Sequence, residues 1–498
     1  MQAGLVAFII AVAAQVAAHR TGVVFAFWDA QAHLDIARRV VDSITPGLQM
    51  LGTVWLPVPH LLMLPFTLVD RWWWNGLAGG IVGCAAYVTT VVCLHDLLVR
   101  RTGSPQLAWL GTAFVLLNPS LLYLQTTAMT EPVLIACLVA SVSALDRWSS
   151  SGSRRALVVA GCFAALGVGS RYDGWFYVLA AGCWLLAAGR SPQRRDRWRD
   201  MVIFVLPSAL MVAGWLAYNW AYFGDPLEFQ RGIWSAQSQQ ALRVAQGQLP
   251  TSGRLDLSLA YYLGASVLCA GVLLTTFGLA AAAVAARHAR TTGVALLLLS
   301  ALPFNVLALW AGQSAIQLPW THPAGVLNLR YGVMMLPGLA VALALGAAQI
   351  VAWRPGWRRG MLLAGLAGLG AQMAIFAVDW PAHVGALREG LAIRDGDLRQ
   401  QHASDWLAAH YDGGRVLVDE AVNISPRTRI PLRDRVYNWT WQLGPAALAA
   451  PAREVDWVIV DEHHANGVVA HAIAKPDDFT QRFDRTFDDG GLQIWRRR

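Results

Sequence analysis

The sequence predicts an all-α polytopic membrane protein that closes in a small extracytoplasmic α/β domain. Three observations predict it. The chain is 56% hydrophobic and only 14% charged, whereas a soluble domain carries about 25% charged residues. Apolar stretches close to the ~20 residues that cross a bilayer recur through the first three quarters. Past residue 380 the composition turns polar and short strand-like runs appear.

Hydropathy marks about eleven spans, near 3–24, 75–97, 106–122, 132–147, 156–170, 174–189, 201–222, 259–285, 292–312, 332–353 and 360–379. The first lacks a basic leader and a small-residue cleavage site, so it reads as a retained helix and not as a signal peptide. Each even-numbered span is followed by arginine: Arg100 and Arg101, then Arg147, Arg154 and Arg155, then RSPQRRDRWRD (190–200), RHAR (287–290) and RPGWRR (354–359). The positive-inside rule puts those loops and the N-terminus in the cytoplasm, and an odd span count puts the C-terminus outside. The expected location is a bacterial cytoplasmic membrane.

The formal net charge is +8, with Lys475 the single lysine. Arginines confined to short inter-span loops are explained by membrane orientation, and nucleic acid is excluded as a partner. The six cysteines, at 84, 93, 137, 162, 183 and 269, fall inside spans without a CxxC pair. They read as small buried hydrophobes; neither a disulfide framework nor a zinc site is expected.

The remaining ionisable residues collect in the segments 25–74, 118–131, 223–258 and 313–331, all on one side, together with the tail 380–498. Ionisable groups near a bilayer are costly and mark function. In FAFWDAQAHLDIARRVV (25–41), Asp29 and His33 are four apart and share a helical face, while Asp35 lies with Arg38 or Arg39 on another. Leu34, Ala37, Val41 and Ile44 form an apolar stripe, so the segment reads as a helix lying on the outer leaflet. The prolines of LGTVWLPVPHLLMLPF (51–66) make a second surface helix there, not a crossing. Asp29 reads either as a helix cap or as a functional carboxylate. Glu131, in NPSLLYLQTTAMTEP, is either a first-turn acid or a site residue. SRYDGW (170–175) supplies Arg171 and Asp173 in one turn, and YFGDPLEFQRG supplies Asp225. In LNLRYGVMMLP (327–337), Arg330 defies the positive-inside bias and calls for an anionic partner, either an acid of the chain or a ligand. In the tail, 403–420 reads as helix, Gly-Gly turn and strand, 455–462 as a buried strand, and 483–498 as a hairpin turning at Asp-Gly-Gly.

With these residues in place, the sequence resembles the GT-C superfamily of membrane glycosyltransferases, in the branch of the protein O-mannosyltransferases and the lipid A aminoarabinose transferase. The resemblance covers roughly residues 1–380 and rests on FWDAQAH after the first span, the proline-rich WLPVPHLL, MTEP after the third span, and LRYGVMMLP. It implies a GT-C transmembrane catalytic domain (1–380) and an extracytoplasmic domain (381–498). It also implies transfer of a hexosyl or pentosyl group from a polyprenyl-phosphate donor to a cell-envelope glycan, lipid or protein, with inversion. Asp29 and Glu131 would be the catalytic carboxylates, Asp29 as general base. His33, His60, Arg171, Asp173, Asp225, Arg330 and Tyr331 would bind substrate, with Arg330 and Arg171 first for the leaving phosphate and His60 third. The protein mannosyltransferases carry Asp-Glu at the first motif, and here Ala30 follows Asp29. That departure argues against a metal in the motif. No cofactor is expected, and a divalent cation is left open. The Asp-x-Asp at 395–397 reads as chance.

Two other readings compete. A transporter or flippase for lipid-linked saccharides also needs many spans, but neither an inverted repeat nor a helix broken by paired Gly and Pro is visible. A non-catalytic GT-C scaffold would tolerate alanine at Asp29.

Overall fold

In the computed structural model, residues 2–188, 194–232, 234–287, 289–378, 380–419, 422–437, 440, 442–463, 467–473 and 479–498 are described. The expected span at 174–189 and the loop 190–200 therefore lie partly outside them, as does Lys475. Among the described residues, seven helices are long and apolar enough to cross a membrane. They are Gln2–Thr21, Leu77–Thr102, Glu131–Ser151, Arg195–Phe223, Gly293–Trp310, Leu329–Trp353 and Pro355–Ala377. The chain is a multi-pass membrane protein.

Among the described residues, seven helices, or eight with one bent pair, have the length of a span, against the eleven expected. Runs read as spans at 106–122, 156–170 and 174–189 are the helices Pro105–Leu116, Arg154–Val168 and Asp173–Ala188, of 12, 15 and 16 residues. At 1.5 Å per residue they reach only about 18–24 Å. Hydropathy sums apolarity and is blind to helix ends. Asn118 stops the first run, its side chain accepting from Leu121 N at 2.9 Å to start a new helix at Pro119. Gly169 follows the second.

The run 259–285 is also not one straight span. It is Leu255–Ala270 and Val272–Ala286, bent by 120° at Gly271, whose φ of +101° suits only glycine. The broken backbone is satisfied by side chains: Asn118 Nδ2 donates to Cys269 O at 2.9 Å, and Leu273 N donates to Gln372 Oε1 at 2.8 Å. Such repair is what lets a helix break inside an apolar layer. The break needs glycine alone, without the paired Gly and Pro whose absence the sequence shows. The cysteines are all free thiols. Cys137 and Cys269 are buried as expected, but Cys162 and Cys183 are exposed on their helices.

The packing groups the chain differently from a cut at residue 380. One unit comprises Met1–Thr21, Thr53–Pro59 and Gly80–Glu389; the other comprises Gly22–Gly52, His60–Gly79 and Gly390–Arg498. In the first, the helix Glu131–Ser151 has opposite chemistry at its two ends. Its C-terminal end holds Asp146, which pairs with Arg101 and, at 2.9 Å, with Arg100, while Arg147 pairs with Asp96 at 2.7 Å. Its N-terminal end begins at Glu131, fifteen residues or about 22 Å away.

The second unit is built on a five-stranded sheet of order β2-β1-β3-β5-β4. The strands are β1 (Val416–Val418), β2 (Arg435–Val436), β3 (Trp457–Asp461), β4 (Phe483–Asp489) and β5 (Leu492–Arg497). The first three are parallel, and β5 joins them antiparallel to β3 and β4. The expected helix, two strands and closing hairpin are all present; β2 was not expected. The alternate faces of β1 and β3 feed two apolar clusters, one around Val416, Val418 and Trp457, the other around Leu417, Val458 and Phe483. The first-loop helix Trp28–Arg39 belongs to this unit and buries His33, Leu34, Ile36 and Ala37.

Candidate functional site

In the first unit, three separate turns bring their charges together. Glu131 opens its helix with no exposed surface, followed by Pro132. Arg171, in the turn before Asp173–Ala188, donates from Nη1 to Glu131 Oε1 at 3.0 Å and to Thr130 Oγ1 at 3.2 Å. Its Nε donates to Asp173 Oδ2 at 3.4 Å. Asn305 Nδ2 donates to the other oxygen of Asp173 at 3.3 Å. Arg330, 5% exposed, places Nε 3.3 Å from Glu131 Oε1 and Nη1 against Glu389 Oε1. Glu389 also accepts the backbone N–H of Asn328 at 2.8 Å and of Arg330 at 3.0 Å. Tyr331 lies beneath both guanidinium groups, 5.0 Å from Arg171 and 5.2 Å from Arg330.

Charge arithmetic limits what this cluster can do. Two guanidinium groups face three carboxylates, so the array is not a ready-made anion site. Arg330 is already matched by Glu131 and Glu389, and its anionic partners are acids of the chain. Arg171 is more open, at 19% side-chain exposure, and among the described residues its Nη2 makes no hydrogen bond. Burial pushes the Glu389 carboxyl above its ordinary value, while Arg330 and the two backbone N–H groups pull it back. Glu131 Oε2 is buried without a partner.

In the second unit, Asp29 lies in the first turn of Trp28–Arg39, partly exposed. It is not the cap: that position is Phe27, which makes no side-chain cap bond. His33, one turn on, is buried and its Nδ1 lies 2.9 Å from Nε2 of fully buried His60. Asp35 faces elsewhere and is committed. It accepts from Trp73 Nε1 at 2.9 Å and from Arg435 Nη1 at 2.9 Å. Burial raises its carboxyl above the usual range, against the opposing pull of Arg435 first, then Trp73 and Arg39. Arg38 stacks on buried Trp73 at 4.3 Å and pairs with Asp42 and Asp70 at 2.8 and 2.6 Å.

The structure thus joins Glu131, Arg171, Asp173, Arg330 and Tyr331, and separately His33 with His60. Asp225 stands outside both groups: its Oδ1 accepts from Leu227 N at 2.8 Å, and its other oxygen lies 3.6 Å from Arg231, a local turn. In the Asp-x-Asp at 395–397, Asp395 pairs with Arg394 and Asp397 with Arg399. No group of three metal-ligating side chains occurs among the described residues. Sequence reasoning missed Glu389, Asn305 and Arg435, which arrive from distant segments without a local signal.

Comparison places these features among known proteins. A family model described as dolichyl-phosphate-mannose-protein mannosyltransferase matches residues 60–218. No curated protein matches the sequence. Among solved structures, ArnT from Cupriavidus metallidurans bound to undecaprenyl phosphate is similar at TM-score 0.57 and 12% identity, over 97% of each chain. Its apo form is similar at 0.53 and 11%, over 94% of this chain and 92% of that one. The archaeal oligosaccharyltransferase AglB from Archaeoglobus fulgidus, in complex with an inhibitory peptide and a dolichol-phosphate, is similar at 0.50 and 12%, over 99% and 74%. The chain therefore has the fold of the GT-C membrane glycosyltransferases, as its motifs implied.

Proposed function

We propose that the chain is a membrane glycosyltransferase that takes a hexosyl or pentosyl group from a polyprenyl-phosphate donor. It passes the sugar to a cell-envelope glycan, lipid or protein on the extracytoplasmic side of a bacterial cytoplasmic membrane. The match of residues 60–218 to the mannosyltransferase family carries this reading. The fold shared with ArnT, whose structure holds undecaprenyl phosphate, supports it.

Asp29 is the general base in this reading. The acceptor hydroxyl oxygen bonds to the anomeric carbon as the bond from that carbon to the phosphate oxygen breaks. The electron pair leaves with the polyprenyl phosphate, and the hydroxyl proton passes to the Asp29 carboxylate. A single displacement of this kind inverts the anomeric centre. Asp29 is preferred over Asp35 because Arg435 and Trp73 hold Asp35. The buried His33–His60 pair lies on the helical face that Asp29 shares.

Phosphate recognition is assigned first to Arg171, which has a donor to offer, and second to Arg330. Fixed guanidinium donors stabilise the charge of a departing phosphate. Glu131 positions both arginines, Asp173 orients Arg171, and Tyr331 supports the two guanidinium planes. No resident cofactor enters the reaction as proposed.

The 120° break at Gly271 favours one other reading, a transporter of lipid-linked saccharides. One experiment separates the two. Protein in nanodiscs is given a polyprenyl-phosphate donor labelled in the sugar, with an envelope extract as acceptor. Label appearing on a new acceptor, with free polyprenyl phosphate released, supports the transferase. Intact donor after prolonged incubation overturns it.

A further inference from the structure

We infer that a cleft in the second unit, beside the first-loop helix, binds the hydroxyl edge of a neutral sugar. The cleft has a volume of about 40 Å³ and is lined by Trp28 and Gln31 of that helix and by tail residues including Asp397, Asp405, Asn423 and Ser425. Gln31 is 8% exposed. Its Nε2 donates to Phe25 O at 2.8 Å, which fixes how the amide is turned. Its Oε1 is then left buried with no partner. Buried polar atoms are rarely left so, and an unmatched one points to a missing group. An amide oxygen only accepts, so the occupant must donate a hydrogen bond.

Charge narrows the occupant further. The lining carries Arg394 and Arg427 against Asp397 and Asp405, and these cancel. Arg394 is paired with Asp395 at 2.6 Å, and Arg427 lies over the Phe25 ring at 5.4 Å while donating to Gly22 O at 3.3 Å. Neither arginine is left waiting for an anion. A neutral donor fits, and a hydroxyl is the simplest. Size decides how much enters: a water needs roughly 10–15 Å³ of such space, so two or three hydroxyl-sized groups fit and a whole pyranose does not. The ring itself must lie at the mouth. Trp28, 39% exposed, lines that mouth and offers the flat apolar surface that the C–H face of a sugar covers.

Asp29, two residues before Gln31 on the same helix, faces away from it and does not line the cleft, so sugar binding here does not rest on the proposed function.

The test is saturation-transfer NMR on the full chain in nanodiscs, with neutral methyl glycosides and short oligosaccharides of glucose, mannose and galactose. Wild type should saturate ring protons of at least one probe. Gln31→Met keeps the volume and removes the acceptor, and should weaken that probe about tenfold, the scale of one hydrogen bond. Trp28→Ala, at an exposed position, should weaken it as well. Both variants should bind undecaprenyl phosphate as wild type does, which reports that they are folded. The inference is overturned if no probe saturates wild type, an outcome that leaves only water in the cleft. Wild-type sugar affinity in both variants overturns it equally. Sugar binding that behaves as expected in a protein that never cleaves the donor would sink the transferase reading and leave the cleft assignment standing.

Discussion

Arg435 Nη1 donates to Asp35 Oδ2 at 2.9 Å across 400 positions of sequence, and Arg435 is almost wholly buried. The same guanidinium group donates to Ile424 O and Ile430 O. This pair ties the first-loop helix to the sheet of the second unit. A buried pair need not stabilise relative to apolar residues, but removing one partner strands the other. Asp35→Ala should therefore cost about 3–5 kcal/mol, read as a lowered unfolding midpoint of the purified protein. An unchanged midpoint would mean that Arg435 finds a substitute.

Asp35 also predicts a pH trend. Burial raises its folded-state pKa despite Arg435, so the folded protein holds the Asp35 proton more tightly than the unfolded chain does. The stability this linkage contributes is complete below the unfolded value and fades as pH rises through the folded one. Asp35→Asn cannot titrate. The midpoint of wild type minus that of Asp35→Asn should shrink over the pH range that begins at the ordinary carboxylate value and rises from there. A difference that grows over that range would reverse the sign and mean that Arg435 outweighs burial.

Arg330 and Arg171 should behave differently although both touch Glu131. Arg330 is locked between Glu131 and Glu389. Arg330→Ala leaves buried Glu389 without a cation and Glu131 with Arg171 alone, and should lose about 3–5 kcal/mol of stability. Arg330→Lys should also be impaired, because an ammonium cannot reproduce the fork. Arg171→Ala should instead weaken binding of radiolabelled polyprenyl phosphate in nanodiscs. Equal lipid affinity in wild type and Arg171→Ala would move phosphate recognition elsewhere.

The orientation proposed from the arginine clusters, with the C-terminus outside, is open to test. A phosphatase fused at Arg498 should be active, and a fluorescent protein fused there dark, with the reverse result for fusions in the loop after Arg154. The opposite pattern would place the acidic cluster on the cytoplasmic side.

What was legible in the sequence had local form. Glu131, Arg171, Asp173 and Arg330 each stood out as ionisable residues at the edge of an apolar run, Tyr331 came only with the resemblance, and the structure joins them. The Asp29–His33 face followed from helical spacing alone. Glu389 left no such trace, because its partner Arg330 lies 59 positions away. Arg435 sits in a strand of two residues, too short for any alternation to show. The break at Gly271 was hidden because hydropathy averages over a glycine whose backbone angle it cannot see. Asp225, expected as a site residue, accepts from Leu227 N within its own turn, a local partner that the sequence did not show.

The central claim is that Asp29 removes the acceptor proton while a polyprenyl phosphate departs. The most direct measurement compares wild type with Asp29→Asn in nanodiscs, reading sugar transfer from a labelled donor and, separately, binding of the lipid phosphate. Asn keeps the shape and cannot take the proton. Transfer should fall by roughly 10² or more, with lipid binding unchanged. Near-normal transfer by Asp29→Asn would contradict the account, and loss of that transfer in Asp35→Asn would place the base there.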